Sequence, residues 1–130
     1  MTSDLLAAEA YWTSTCRGPA VVEVSYAPRM DPYALQLAIA VTDGTNTWLI
    51  SRDVVRDGLS EAAGYGDVHV TPVGNGRVAI NLAPGDDTLM LLFDREELAA
   101  FVAATDAAVR PGSETALVDW DQLARQLAGA

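Results

Sequence analysis

Lysine is absent from this chain, cysteine and histidine occur once each, and no uninterrupted apolar run reaches the roughly eighteen residues a membrane-spanning helix needs. Each absence removes a class of function. Without lysine, the glycine-punctuated stretch Gly58 to Gly66 has no Gly-Lys-Ser/Thr ending and does not make a nucleotide-binding loop. Cys16 alone cannot close an internal disulfide, and Cys16 with His69 cannot assemble the usual structural zinc sets from one chain. The opening Met1-Thr2-Ser3-Asp4-Leu5 carries an acid where an export signal carries basic residues, so a cytoplasmic protein is expected.

Acid is abundant. Eighteen Asp and Glu stand against eight basic residues, all of them arginine, for a formal charge of -10. That balance repels nucleic acid phosphates and anionic lipid headgroups. The arginines, at positions 17, 29, 52, 56, 77, 95, 110 and 125, form no local basic cluster. With 130 residues, half of them apolar, the chain supports one hydrophobic core, and a single domain over 1–130 is expected.

Alternation dominates the first two thirds. Val21 to Tyr26 reads as a strand, and Leu5 to Cys16 leans the same way, with Gly18-Pro19 as the break between them. Tyr33, Leu35, Leu37, Ile39 and Val41 mark a strand that Asp43-Gly44 turns into a hairpin with Trp48 to Ser51. Arg52 to Leu59 suits either a short helical turn or a continued strand. Val68 to Pro72 is a short strand, and Asn75-Gly76 turns it into Arg77 to Leu82. Thr88 to Phe93 is apolar on both faces, which fits a central strand or a subunit contact.

Two helices follow. Asp94 and Glu97 have the spacing of a capping box ahead of Leu98, Phe101, Val102, Thr105 and Val109, and Arg110-Pro111-Gly112 ends that helix. Asp119 and Gln122 repeat the pattern before Leu123 and Leu127. The expectation is an α+β fold: antiparallel sheets of about seven strands with C-terminal helices.

Nothing in this pattern assembles a catalytic set. His69 reads as an ordinary strand residue, and Cys16 as a structural or incidental thiol. Asp86-Asp87 and Asp119-Asp121 sit at a turn and a helix start, where acids serve local geometry. Tyr33 and Trp48 either cover the core or anchor a partner, since aromatics carry much of the energy of interfaces. Arg52-Asp53, directly after an apolar strand, either ties the chain down or faces a partner.

The order of short motifs resembles the SsgA-like sporulation and cell-division proteins of actinomycetes. The resemblance runs through Tyr26-Ala27-Pro28, Asp31-Pro32-Tyr33-Ala34-Leu35, Trp48 to Leu59, Gly64 to Pro72, Leu98 to Thr105, Val109 to Glu114 and Asp119-Trp120-Asp121. It implies a role in sporulation-associated septation or spore-wall morphogenesis. The best understood family member marks septum sites together with a paralogue and recruits the tubulin-like division protein FtsZ. The resemblance also implies a fold similar to the Whirly and guide-RNA-binding proteins, a homotrimer, and placement at septa through protein partners.

Asp31, Pro32, Tyr33, Trp48, Arg52, Asp53, Gly58, Gly66, Pro111 and Gly112 are the motif residues expected to serve structure or partner contact. No cofactor, metal or catalytic residue is implied. The competing expectations are a Whirly-like module binding single-stranded nucleic acid, and an enzyme whose acids meet only between subunits.

Overall fold

The computed structural model describes residues 1–12, 17–41, 44–83, 88–118, 124–125 and 127. Cys16, Asp43, Asp86-Asp87, Asp119-Trp120-Asp121 and Gln122 lie outside the described residues, and with them most of the expected second helix.

One antiparallel sheet of eight strands, one more than the sequence indicates, has the order β4-β3-β2-β1-β8-β7-β6-β5. The strands are β1 (Thr2–Trp12), β2 (Arg17–Tyr26), β3 (Ala34–Val41), β4 (Gly44–Ser51), β5 (Ala63–Tyr65), β6 (Val68–Pro72), β7 (Arg77–Leu82) and β8 (Leu89–Asp94). Helix α1 (Arg52–Gly58) separates β4 from β5, and helix α2 (Arg95–Ala108) follows β8. A short 3-10 turn covers Glu114–Leu117. The sheet is therefore two four-stranded meanders joined through the β1·β8 pair.

Period-2 alternation explains which side faces inward. Leu35, Leu37 and Ile39 of β3 are buried together with Val22, Val24 and Tyr26 of β2, while Gln36 and Ala40 are exposed. Leu89, Leu91 and Phe93 of the central strand β8 are fully buried, and Met90 and Leu92 on its other face are half-buried. Both meanders and Leu98, Phe101 and Val102 of α2 share one core. Helix α1 packs against β4, β5 and β6, and α2 against β1 and β8, so sheet and helices enclose it together.

The hairpins arise from local chemistry. Asn75 (φ 54°) and Gly76 (φ 70°) both adopt positive φ, and the Arg77 N–H donates to the Gly74 carbonyl at 3.1 Å, closing a tight turn of the primed kind that matches strand twist. Val41 pairs directly with Gly44, so Gly44 belongs to β4.

Gly18-Pro19 does not break the chain as expected. Both residues continue β2, opposite Ala10 and Glu9 of β1. Strand β3 pairs β2 only over Val22 to Ser25, so at Pro19 the strand has a single neighbour and a missing N–H is tolerated. Arg52 to Gly58 resolves as helix, begun by the Ser51 hydroxyl accepting the Val54 N–H at 3.3 Å. The Asp94 carboxylate likewise accepts the Glu97 N–H at 3.0 Å and starts α2.

Candidate functional site

Several of the motif residues converge on one buried arginine. Arg52 opens α1 with only 1% of its surface exposed. One terminal nitrogen donates to the backbone carbonyls of Thr105 (3.0 Å) and Val109 (2.8 Å), at the end of α2. The other donates to Glu114 Oε1 at 2.6 Å. Asp106 Oδ1 lies 3.3 Å from the guanidinium, and the Tyr26 ring covers it with its centroid 4.8 Å away. Only Nε has no hydrogen-bond partner among the described residues.

Each residue of the Asp31-Pro32-Tyr33 block contributes to the same junction. The Asp31 carboxylate accepts the Tyr33 N–H (2.9 Å) and fixes the turn. The Pro32 carbonyl accepts the Tyr26 hydroxyl (2.8 Å), holding the ring over Arg52. The Tyr33 carbonyl accepts the Arg52 N–H (2.8 Å), and the Tyr33 hydroxyl meets Thr115 Oγ1 at 3.0 Å. Gly112, at φ 89°, directs its own N–H to Glu114 Oε1 (3.0 Å) just beyond the exposed Pro111.

A second arginine reinforces the first. Arg56 forks onto both oxygens of Asp106 (3.2 and 2.6 Å) and bonds the largely exposed Asp53 (2.6 Å), clamping α1 against α2. The Asp106 bond holds the Arg56 guanidinium protonated against the opposing effect of its partial burial. The whole arrangement ties the segment after α2 to the start of α1 and to the turn before β3.

Burial raises the pKa of Glu114, but the Gly112 N–H and the bond and charge of Arg52 outweigh it and hold the carboxyl below its ordinary value near 4.5. A carboxylate whose folded pKa is depressed contributes stability above the unfolded value and loses it as pH falls through the folded one. Unfolding midpoints measured from pH 6 downward should therefore fall below about pH 4.5. Glu114→Gln should flatten that acid limb, and an unchanged limb would refute the assignment.

The remaining motif residues lie elsewhere. Trp48 is half-buried on β4 opposite Leu37. Gly66 occupies the turn between β5 and β6, where its carbonyl meets His69 Nε2 at 3.1 Å, so His69 is engaged in turn geometry. Gly58 serves close packing instead of an unusual backbone angle: a Cβ there would lie 2.2 Å from Val70 Cγ1 on β6.

Glu114, Asp106 and Tyr26 are the functional partners that sequence reasoning did not single out. An acid directly after Arg-Pro-Gly-Ser was the available signal, since a buried arginine requires one.

Among the described residues, no group of three His, Cys, Asp or Glu side chains is placed to hold a metal, and no helix is long and apolar enough to cross a membrane. The buried polar side chains among them are Arg52, Thr105 and Glu114. Arg52 and Glu114 serve the junction, while the Thr105 hydroxyl returns to the Val102 carbonyl at 2.7 Å.

The comparisons with known proteins agree in one direction. The family model described as Streptomyces sporulation and cell division protein, SsgA, matches residues 20–114. The sporulation-specific cell division protein SsgB of Kineococcus radiotolerans is 37% identical over 102 residues, 75% of this chain and 62% of that protein. SsgB of Streptomyces coelicolor is 36% identical over 96 residues, 71% of this chain and 70% of its own.

A solved structure from work on SsgB mutations that correlate to longitudinal cell division in sporulating Streptomyces coelicolor superposes with a TM-score of 0.80 at 29% identity, covering 89% of this chain and 94% of that one. The SsgA-like sporulation-specific cell division protein of Thermobifida fusca shares the fold, with a TM-score of 0.83 at 23% identity over 96% of this chain and 93% of that one. The chain belongs to the SsgA family of sporulation and cell-division proteins.

Proposed function

We propose that this protein is a non-enzymatic adaptor or regulator of sporulation-specific cell division, working in the cytoplasm through protein–protein contacts. The observation that carries this reading is the family match over residues 20–114, together with relatives at 37% and 36% identity that are named for sporulation-specific cell division. The site supports it as well, because the Arg52 junction is closed and devoted to holding chain segments together. The junction itself offers a reacting substrate no open cleft.

Within that role we place septum-site marking, recruitment of FtsZ, or spore-wall morphogenesis, with an SsgA-like paralogue as a second partner and septal placement supplied by those partners. A single domain over 1–130, a Whirly-type arrangement of the sheet and a homotrimer belong to the same proposal. Binding of single-stranded nucleic acid finds no comparable support. Arg52, Arg56, Arg77 and Arg95 are each engaged with a carboxylate or carbonyl, which leaves few cations for a phosphate track.

The test is affinity purification of the tagged chain from a sporulating culture. Co-purification of FtsZ or an SsgA-like paralogue is expected. Recovery of no division protein, together with normal septation in a deletion strain, would overturn the proposal.

A further inference from the structure

The outer face of the sheet carries a groove that the Arg52 junction does not touch. Two open recesses of about 270 and 490 Å³ adjoin there and share Glu9 and Pro19. Their floor follows from cross-strand register, because Glu9 of β1 lies opposite Pro19 of β2 on one side and Leu92 of β8 on the other. Ala7 continues this floor along β1. One end is bounded by Tyr11 and Gly18, and the other by Arg77, Asp94 and Glu97.

Two properties of the groove select its occupant. Among the described side chains, three carboxylates, Glu9, Asp94 and Glu97, line the wider recess with one guanidinium, Arg77, which pairs with Glu9 at 3.2 Å. Apolar surface flanks Glu9 on the floor and at its border: Leu92 and Pro19 lie within it, and Leu5 and Val21 stand beside it on the same face, 64% and 58% exposed. We infer that this groove binds an extended basic segment of a partner protein, in which lysine or arginine alternates with apolar residues.

Period-2 alternation turns the apolar side chains to the floor and the lysine or arginine side chains the other way, and their long stems reach back to the carboxylates of the groove. The formal charge of -10 attracts the same partner from a distance. A second copy of this chain brings equal negative charge and no lysine, and a polyphosphate is repelled by the same carboxylates. The inference rests on the protein-contact role proposed above and adds the surface and the chemistry of the partner.

A fluorescent peptide alternating lysine and valine is the probe, titrated at physiological salt against the full chain. Glu9→Gln with Glu97→Gln should weaken binding by about tenfold or more, the size expected for losing two charges of a specific site. Asp57→Asn with Glu61→Gln removes the same charge from exposed positions outside the groove and should change binding by less than about twofold. Equal weakening by both pairs would mean attraction to the whole acidic surface only, and would overturn the inference.

Amide shift changes on titration provide a second readout, independent of the variants. They should concentrate on β1, β2 and β8, and a map centred elsewhere would also refute the groove. Co-purification separates the two levels. Division proteins recovered equally by the wild type and the Glu9/Glu97 variant would remove the groove and leave the function intact, whereas none recovered by the wild type would remove the function itself.

Discussion

Replacing Arg52 with alanine is expected to lower stability by about 3–5 kcal/mol, the usual cost of removing one partner from a buried ion pair. The loss has several sources. Glu114, only 5% exposed, is left as a buried carboxylate without its cation, held by backbone N–H groups such as that of Gly112, and the carbonyls of Thr105 and Val109 lose their donor. The Tyr26 ring loses the cation beneath it.

Urea unfolding with a double-mutant cycle measures this directly. Glu114→Ala alone should be strongly destabilising, yet should add little on the Arg52→Ala background, because the charge left unpaired in the single variants is then gone. A loss below about 1 kcal/mol for Arg52→Ala would place this pair with exposed salt bridges and contradict the reading. So would full additivity of the two changes.

The second large effect is expected at Gly58, and here packing and helix propensity predict opposite signs. Alanine in place of a helical glycine is ordinarily favourable by up to about 1 kcal/mol. At this position, however, the new Cβ would lie 2.2 Å from Val70 Cγ1, 2.4 Å from Val70 Cβ and 3.0 Å from the Val70 carbonyl oxygen. Helix α1 would have to lift from β6, so overpacking wins and Gly58→Ala should destabilise by about 1–3 kcal/mol.

Trimming Val70 should relieve part of the clash. Val70→Ala removes the nearest atom, Cγ1, but leaves Cβ and the backbone in place, so Gly58→Ala should cost less on that background than on the wild type. Thermal melting of the two single variants and the double variant tests this. A stabilising Gly58→Ala would show that α1 does not approach β6 so closely.

Local chemistry made much of the sheet legible in the sequence. Strict alternation in Ala34 to Val41 and the Asn75-Gly76 turn each carry their structure within a few residues. Strand β1 was faint because its inward positions are Leu6, Ala8 and Ala10, and alanine gives little hydrophobic contrast. Gly18-Pro19 read as a break because dipeptide rules do not know where a neighbouring strand stops.

What could not be read locally depends on distant partners. Arg52 stood out as a charge after an apolar strand, but its anchor, Glu114, lies 62 residues away. Gly58 is explained only by Val70 across the α1·β6 contact. The groove exists because β1 pairs with β8, a neighbour seven strands later in the chain. Family motifs thus mark positions where tertiary structure sets the residue, and several of them serve the junction and not a contact surface.

Imaging a fluorescent fusion expressed from the native locus in sporulating hyphae tests the central claim most directly. A ladder of signals at developing septa, with defective septation when the gene is deleted, is the expected result. Uniform fluorescence throughout sporulation, combined with normal septa in the deletion strain, would contradict a role in sporulation-specific division.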